Sequence, residues 1–146
     1  MFFWKSKQKK DNRDLEKIIF DIAEYQKDED FHLLCRLLRN REVFIPIDPS
    51  TLPRNAIPGE RITLSASDQV HILYVKGPND LLFVPACTTI HASILQRGYA
   101  GIEWFDFLKM TLKMESTMFG ALLQGESSWV AFDMKKISYI LDASGA

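Results

Sequence analysis

Several features that would point directly to a function are scarce in this sequence. The 146 residues contain only 2 Cys, 7 Gly and 6 Pro, and the 18 Lys and Arg nearly balance the 19 Asp and Glu, giving a formal net charge of -1. A balanced charge produces no overall field that attracts nucleic acid or an anionic membrane, so no nucleic-acid partner is expected. No apolar run approaches the ~20 residues that span a bilayer. The remaining composition, 47% hydrophobic and 25% charged, is typical of a globular domain.

The N-terminal residues and the cysteines together predict the compartment. Met-Phe-Phe-Trp precedes four lysines between Lys5 and Lys10, which reverses the order of a secretory signal. Cys35 and Cys87 each lie within an apolar segment. A domain of this size buries roughly two-thirds of its unfolded surface and does not need a disulfide to fold. A cytoplasmic protein is therefore expected.

The basic N-terminal segment has two interpretations. An aromatic tip followed by lysines, as in Phe2–Lys10, can rest on an anionic membrane surface. The favoured alternative is a solvated terminus, because terminal residues are usually disordered unless they are tied down. We expect residues 1–12 to form a flexible tail and residues 13–146 to form one domain.

The spacing of apolar residues predicts an alternation of helices and strands. Helix caps are expected at Thr88 or Thr89, Asp106, Ser116 and Asp133, because short polar side chains there precede apolar periodicity. The predicted helices cover 15–23, 31–38, 90–95, 107–114, 117–123 and 134–141, and the predicted strands cover 42–47, 62–65, 71–75, 81–85, 101–105 and 128–132. Residues 27–30 are expected to form a loop and cap. This order predicts a single α/β domain, with a mixed, mostly antiparallel sheet and helices packed on it.

The order of elements resembles the SseB N-terminal domain family, named for enhanced serine sensitivity proteins. A leucine-rich helix, Phe31–Leu38, leads into Val43–Pro46, a strand that closes on proline. Leu82–Pro85 and the threonine-capped segment after it look like a later strand and helix of the family. Tyr99–Leu112 and Gly125–Leu141 look like its last two strand and helix units, so the resemblance extends over roughly residues 15–141.

This chain differs from one sequence motif of that family. The family commonly has Asn-Pro-Gly after its last strand, whereas this sequence has Phe132-Asp133-Met134. Asp133 keeps a helix cap, but the Asn-Pro-Gly turn of the family is not retained. The resemblance implies a bacterial domain without a cofactor or catalytic residues, used for interaction or regulation.

Four residues have the types and spacing of a zinc site. His32 and Cys35 are three residues apart, and Cys87 and His91 are four apart, so each pair can share one face of a helix. Together they could form a tetrahedral Cys2His2 site. The favoured alternative is core packing, because Cys35 lies on an apolar helical stripe where a buried cysteine acts as a small hydrophobe. No metal is therefore expected.

Cys87 alone suggests a second chemistry. A thiol just before a helix gains thiolate character from the helix dipole, and His91 would lie one turn away. A thiol-dependent enzyme or redox sensor using Cys87 and His91 is therefore the alternative to an interaction module. The other interpretation of Cys87 is a small residue that fills the joint between strand and helix. Glycine-rich phosphate loops and nucleophile elbows are missing from the sequence.

Two surface features are also open to interpretation. Arg36, Arg39 and Arg41 lie close to the acidic run Asp28–Asp30 and to Glu42, which favours a balanced, solvated surface over a phosphate clamp. Aromatic residues gather in the last third of the chain. If helices cover only one face of the sheet, some of these aromatics form an exposed patch suited to a protein partner or to a homodimer. The candidate partner-binding residues are Trp104, Trp129 and Phe132.

Overall fold

Four helices and six strands make up the part of the chain that the structure, a computed structural model, describes: residues 11–48 and 71–145. The helices are α1 (Leu15–Tyr25), α2 (Asp28–Leu38), α3 (Trp104–Leu112) and α4 (Met134–Ser144). The strands are β1 (Glu42–Pro46), β2 (Val75–Lys76), β3 (Leu82–Cys87), β4 (Tyr99–Glu103), β5 (Gly120–Gln124) and β6 (Trp129–Asp133). None of the helices in these ranges is long and apolar enough to cross a membrane.

The six strands form one mixed sheet. Its order is β4-β1-β3-β5-β6, and the short β2 pairs with the beginning of β3. Only β3 and β5 run parallel, because the chain between them crosses over through β4 and α3, whereas the other pairs are antiparallel. The predicted mixed, mostly antiparallel sheet with packed helices is confirmed.

All four of these helices pack on the same face of the sheet. Alternation along each strand sends every second side chain to that face. The strand residues in the core are Val43, Ile45, Val84, Ala86, Ala121, Leu123, Val130 and Phe132, and they form one cluster with the apolar stripes of the helices. The opposite face, which we call the helix-free face, carries no helix of the described part of the chain.

The first residues of the helices can be compared with the predicted caps. Asp133 accepts a hydrogen bond from the backbone N–H of Lys136 at 2.7 Å and caps α4, as predicted. The predicted loop and cap at 27–30 is confirmed only at Lys27, the N-cap residue of α2; the loop is wrong at 28–30, where three acidic residues form the first turn of the helix. Negative charge at that position complements the helix dipole.

The cap of α3 was predicted three residues too late. The side chain of Glu103, not that of Asp106, accepts the N–H groups of Phe105 and Asp106 at 3.1 and 3.2 Å. Strand β4 therefore ends at Glu103, and Trp104 belongs to the helix. Alternation between strand faces consequently does not apply to Trp104 and Phe105.

Two predicted helices are wrong. Residues 88–98 form turns with only a short 3-10 segment, Ser93–Leu95, where a capped α-helix was expected. The segment expected as a helix after Ser116 contains strand β5, which is bonded to β3 on one side and to β6 on the other. Short apolar runs do not distinguish a strand from a buried helix turn, so sheet pairing decides.

Other predicted segments fall partly or wholly outside this structure. The extended run at 71–75 is reduced to an isolated bridge between Ile47 and Ile72, and β2 begins at Val75. The predicted strand at 62–65 and the proposed membrane contact of Phe2–Lys10 lie outside the described residues.

Candidate functional site

The helix-free face presents a row of side chains that crosses the sheet. Trp129 pairs with Gln124, Gln124 with Cys87, and Cys87 with Phe44. Since paired residues project to the same side of a sheet, these four side chains form one row. The row runs from the outer strand β6 to the interior of the sheet and includes one of the predicted reactive residues.

An apolar cleft lies on this face beside Trp129. Its volume is about 340 Å³. The described residues that line it are Val75, Lys76, Gly77, Phe83, Leu122, Trp129 and Ala131. Phe83 forms the buried part of this surface and packs edge-on against Phe119, with the two ring centroids 5.4 Å apart. Lys76 supplies the one charged side chain in this lining, so the cleft suits an apolar group.

The three aromatic candidates have different surroundings. Trp104 and Phe132 are fully buried and pack against each other edge-on, with ring centroids 5.6 Å apart. Trp129 is 41% exposed at the cleft. Tyr99, two strands beyond the centre of the sheet, is 44% exposed on the same face. In this fold, Trp129 can therefore contact a partner, whereas Trp104 and Phe132 stabilise the core.

Cys87 is a buried thiol with a high pKa. Its Sγ lies 3.8 Å from Oε1 of Gln124, and burial raises the pKa of the thiol to about 11. Residues 88–98 form turns and no α-helix begins directly after Cys87, so no helix dipole stabilises its thiolate. His91 is exposed in the turn region that replaces the predicted helix. These surroundings favour a protonated, packed cysteine over a nucleophile.

The predicted zinc ligands lie on two sides of the sheet. Cys35 belongs to the core between the sheet and the helices, whereas Cys87 projects from the helix-free face. Among residues 11–48 and 71–145, no three His, Cys, Asp or Glu side chains are arranged to hold a metal ion. The structure therefore does not bring His32, Cys35, Cys87 and His91 together.

Cys35 is also held as a protonated thiol. Burial raises its pKa to about 11, and the nearby indole N–H of Trp104 offsets this only in part. That N–H forms no hydrogen bond of ordinary geometry with the described residues. The contact between indole and sulfur is consequently weak, and Cys35 remains part of the core.

Sequence reasoning missed a charge network around Arg13. Its guanidinium contacts carboxylates of Asp11, Asp21 and Asp30 at 2.6, 2.9 and 2.8 Å. These hydrogen bonds lower the pKa of Asp11 to about 2 and also lower the pKa of Asp21. The partners are 2, 8 and 17 residues away along the chain, a spacing without a recognisable motif. The network ties the start of the described chain to α1 and α2.

Glu16 is a second structural residue that the sequence did not reveal. Its carboxylate accepts the Thr88 hydroxyl at 3.0 Å and the backbone N–H of Glu126 at 2.5 Å. Both donors lie just beyond the carboxyl ends of the parallel strands β3 and β5. Glu16 thereby fixes α1 at that end of the sheet.

Comparisons with known protein families, curated proteins and solved structures found no significant match to this chain. The helix-free face, with its apolar cleft beside Trp129, is the feature of the described residues on which a functional proposal is based.

Proposed function

We propose that this chain is a non-catalytic interaction or regulatory module of the SseB-like type, acting in a bacterial cytoplasm. Its partner is a protein that places an extended apolar segment on the helix-free face beside β6. The apolar cleft next to the exposed ring of Trp129 is the observation that carries this proposal. Exposed aromatic rings and apolar pockets are common anchors of protein interfaces.

The position of β6 indicates how such a segment would bind. In the described part of the chain, β6 pairs only with β5, so its other edge has no strand partner. An extended peptide can add to an exposed sheet edge through backbone hydrogen bonds and can insert alternate side chains into adjacent pockets. Trp129 and Ala131 on β6 both line the cleft, so edge and pocket are next to each other.

The surroundings of Cys87 favour this role over the thiol-dependent alternative. A reactive cysteine is accessible and has a lowered pKa. Cys87 is 1% exposed, and its pKa is raised by burial. The thiol therefore contributes to packing on the face that we propose for binding.

The test compares captures from native lysate by the full chain and by two variants. Trp129→Ser removes the aromatic anchor, whereas Tyr139→Ser removes a ring that is 58% exposed on α4, on the other side of the sheet. We expect a protein that co-purifies repeatedly with the parent and with Tyr139→Ser and is lost with Trp129→Ser. Equal capture by both variants would contradict the proposed surface.

Two further measurements separate the competing interpretations. Sedimentation of the purified chain shows whether a second copy of this chain binds to the helix-free face. A dimer that dissociates in the Trp129→Ser variant would contradict binding of a different protein and would identify this face as a homodimer interface. Cys87→Ser tests the thiol alternative. Loss of a biological readout in a folded Cys87→Ser variant that still binds its partner would count against a non-catalytic module.

A further inference from the structure

A second pocket lies in the helical layer, on the other side of the sheet from the cleft beside Trp129. It is formed between α2, the start of α3 and the end of α4, and its volume is about 260 Å³. Phe105, Ile140 and Ala143 contribute apolar walls, while His32, Arg36 and Arg39 contribute basic side chains. The pocket therefore combines an apolar wall with basic side chains. Its volume is sufficient for a small ligand that consists of one ring and a polar group.

The arginines of this pocket are not neutralised by the acidic residues near them in the sequence. Asp30 contacts Arg13, and Asp28 contacts Lys136. Among the described residues, neither Arg36 nor Arg39 forms an ion pair with a carboxylate. The balanced surface expected from the sequence is thus replaced by two guanidinium groups that line one pocket and have no carboxylate partner in the described part of the chain.

The position of the two arginines suits one anionic group. Arg36 lies in the last turn of α2, Arg39 is the C-cap residue that follows the helix, and both line the same pocket. The guanidinium of Arg39 also lies over the ring of Phe105, 6.0 Å from its centroid. Stacking of this kind orients the planar guanidinium, which then has N–H groups left to donate.

We propose that this pocket binds a phosphate monoester carried on a small apolar group. A phosphate monoester carries a charge of about -1.5 to -2 at neutral pH, which matches two guanidinium groups. Arginine also matches the oxygens of phosphate in bidentate geometry. The apolar body of the ligand lies against Phe105, Ile140 and Ala143, and the phosphate group lies between Arg36 and Arg39.

The experiment is a titration of the full chain with phenyl phosphate, followed by calorimetry and by backbone amide shifts. Phenyl phosphate is expected to bind saturably and to shift amides at the end of α2 and α4. Benzoate keeps the ring but has one charge, and inorganic phosphate keeps the anion without a ring. Both are expected to bind more weakly. Equal affinity for benzoate would overturn the preference for a phosphate monoester, and equal affinity for inorganic phosphate would overturn the apolar contact.

Variants locate the binding. Arg36→Gln and Arg39→Gln should each weaken phenyl phosphate binding by about 10-fold, because each removes charge-assisted hydrogen bonds. Ala143→Phe should weaken binding by filling the pocket while leaving both charges in place. Arg97→Gln is the matched control, since Arg97 is exposed and does not line the pocket. Absence of saturable binding by the parent at millimolar concentrations, or equal loss in Arg97→Gln, would overturn the proposal. Circular dichroism of each variant checks folding.

Discussion

The two faces of the sheet differ in what covers them, and β6 shows the difference within five residues. Phe132 projects into the helical layer and is fully buried, whereas Trp129 projects to the helix-free face and is 41% exposed. Both are large aromatics in the same strand, so residue type alone would assign them the same role. The described helices all pack on one face, which makes Phe132 a core residue and leaves Trp129 41% exposed and available to a partner.

The arginines repeat this lesson, whereas the cysteines show that a residue can be buried on either face. Cys35 and Cys87 lie on opposite faces of the sheet, yet both are buried and both have a raised pKa. Arg13 contacts three carboxylates, whereas Arg36 and Arg39 contact none in the described part of the chain. Burial and pairing, not residue identity, decide which of these groups is structural and which is free to bind.

Phe132→Ala should have the largest effect on stability. Its ring packs edge-on against Phe31 and Trp104, with centroids 5.5 and 5.6 Å away. Removing a buried phenyl group leaves a cavity, so we expect the free energy of unfolding to fall by about 3–5 kcal/mol. Urea denaturation followed by circular dichroism measures this loss. A change below about 1 kcal/mol would show that the helical face is not closely packed.

Both thiols should be protected from labelling in the folded protein. A pKa near 11 in place of 9.0 lowers the thiolate fraction at pH 8 by about 100-fold. Labelling with a disulfide reagent should therefore be at least about 100-fold slower in native buffer than in urea. Cys35→Ser and Cys87→Ser assign the two rates. Rapid labelling of Cys87 in the native protein would contradict the conclusion that both thiols are buried and protonated, and would favour the thiol-dependent alternative.

The same raised pKa values predict a loss of stability in alkali. Each buried thiol favours the protonated form, so its contribution is fully present below the ordinary pKa of 9.0 and is lost as the pH rises from there through about 11. Urea midpoints at increasing pH measure this decline, and each Cys→Ser variant should make it shallower. Parallel curves for parent and variants would contradict the assignment.

Arg13→Gln should reduce stability at neutral pH and flatten its dependence on acid. Asp11 and Asp21 have pKa values lowered by Arg13, so their contribution is present above the ordinary value of 3.8. It is lost as the pH falls through that value towards about 2, because the paired carboxylates become protonated. Melting temperatures between pH 7 and pH 2 measure the curve. Arg97→Gln is the control, and an Arg13→Gln curve that is parallel to it would contradict the network.

Glu103→Ala should cost about 1 kcal/mol, because it removes the cap of α3, a helix of the covered face. Glu103 also accepts the N–H of Asn40 at 3.3 Å and so joins α3 to the end of α2. The matched control is Asp106→Ala, at the position that the sequence predicted as the cap. We expect that control to change stability by about 0.5 kcal/mol or less. A larger loss for Asp106→Ala than for Glu103→Ala would reverse the assignment of the cap.

Trp129→Ser should have the smallest effect on stability, about 0.5 kcal/mol, because its side chain lies at the surface of the helix-free face. The urea midpoint measures this change beside that of Phe132→Ala. Capture of a partner should be lost in the same variant. A loss of stability as large as that of Phe132→Ala would show that both faces are equally structural.

Much of the fold was predictable because, in several segments, the local sequence pattern favours the same element that the tertiary structure requires. The apolar spacing of α1 and α2, and the cap and spacing of α4, each indicate the element that forms. The failures occur where a short segment depends on distant partners. β5 is a strand because it lies between β3 and β6, and the cap of α3 is Glu103 because β4 ends there.

The candidate sites were less predictable than the fold. Trp129 was among the predicted partner-binding residues, but only the topology separates it from Trp104 and Phe132. The sequence predicts a balanced surface around Arg36 and Arg39, because acidic residues lie only a few positions away from them in the chain. Their pairing with Arg13 and Lys136 could not be read from that spacing.

By itself, the sequence determined the class of the fold, the absence of a strong charge bias and a set of aromatic candidates for binding. These follow from composition and from periodicities of a few residues, which are local properties. Only the tertiary structure decided that the described helices share one face, that Cys87 is buried and that two arginines meet at a pocket. Burial and ion pairing join residues that are far apart in the chain, and only folding brings them into contact.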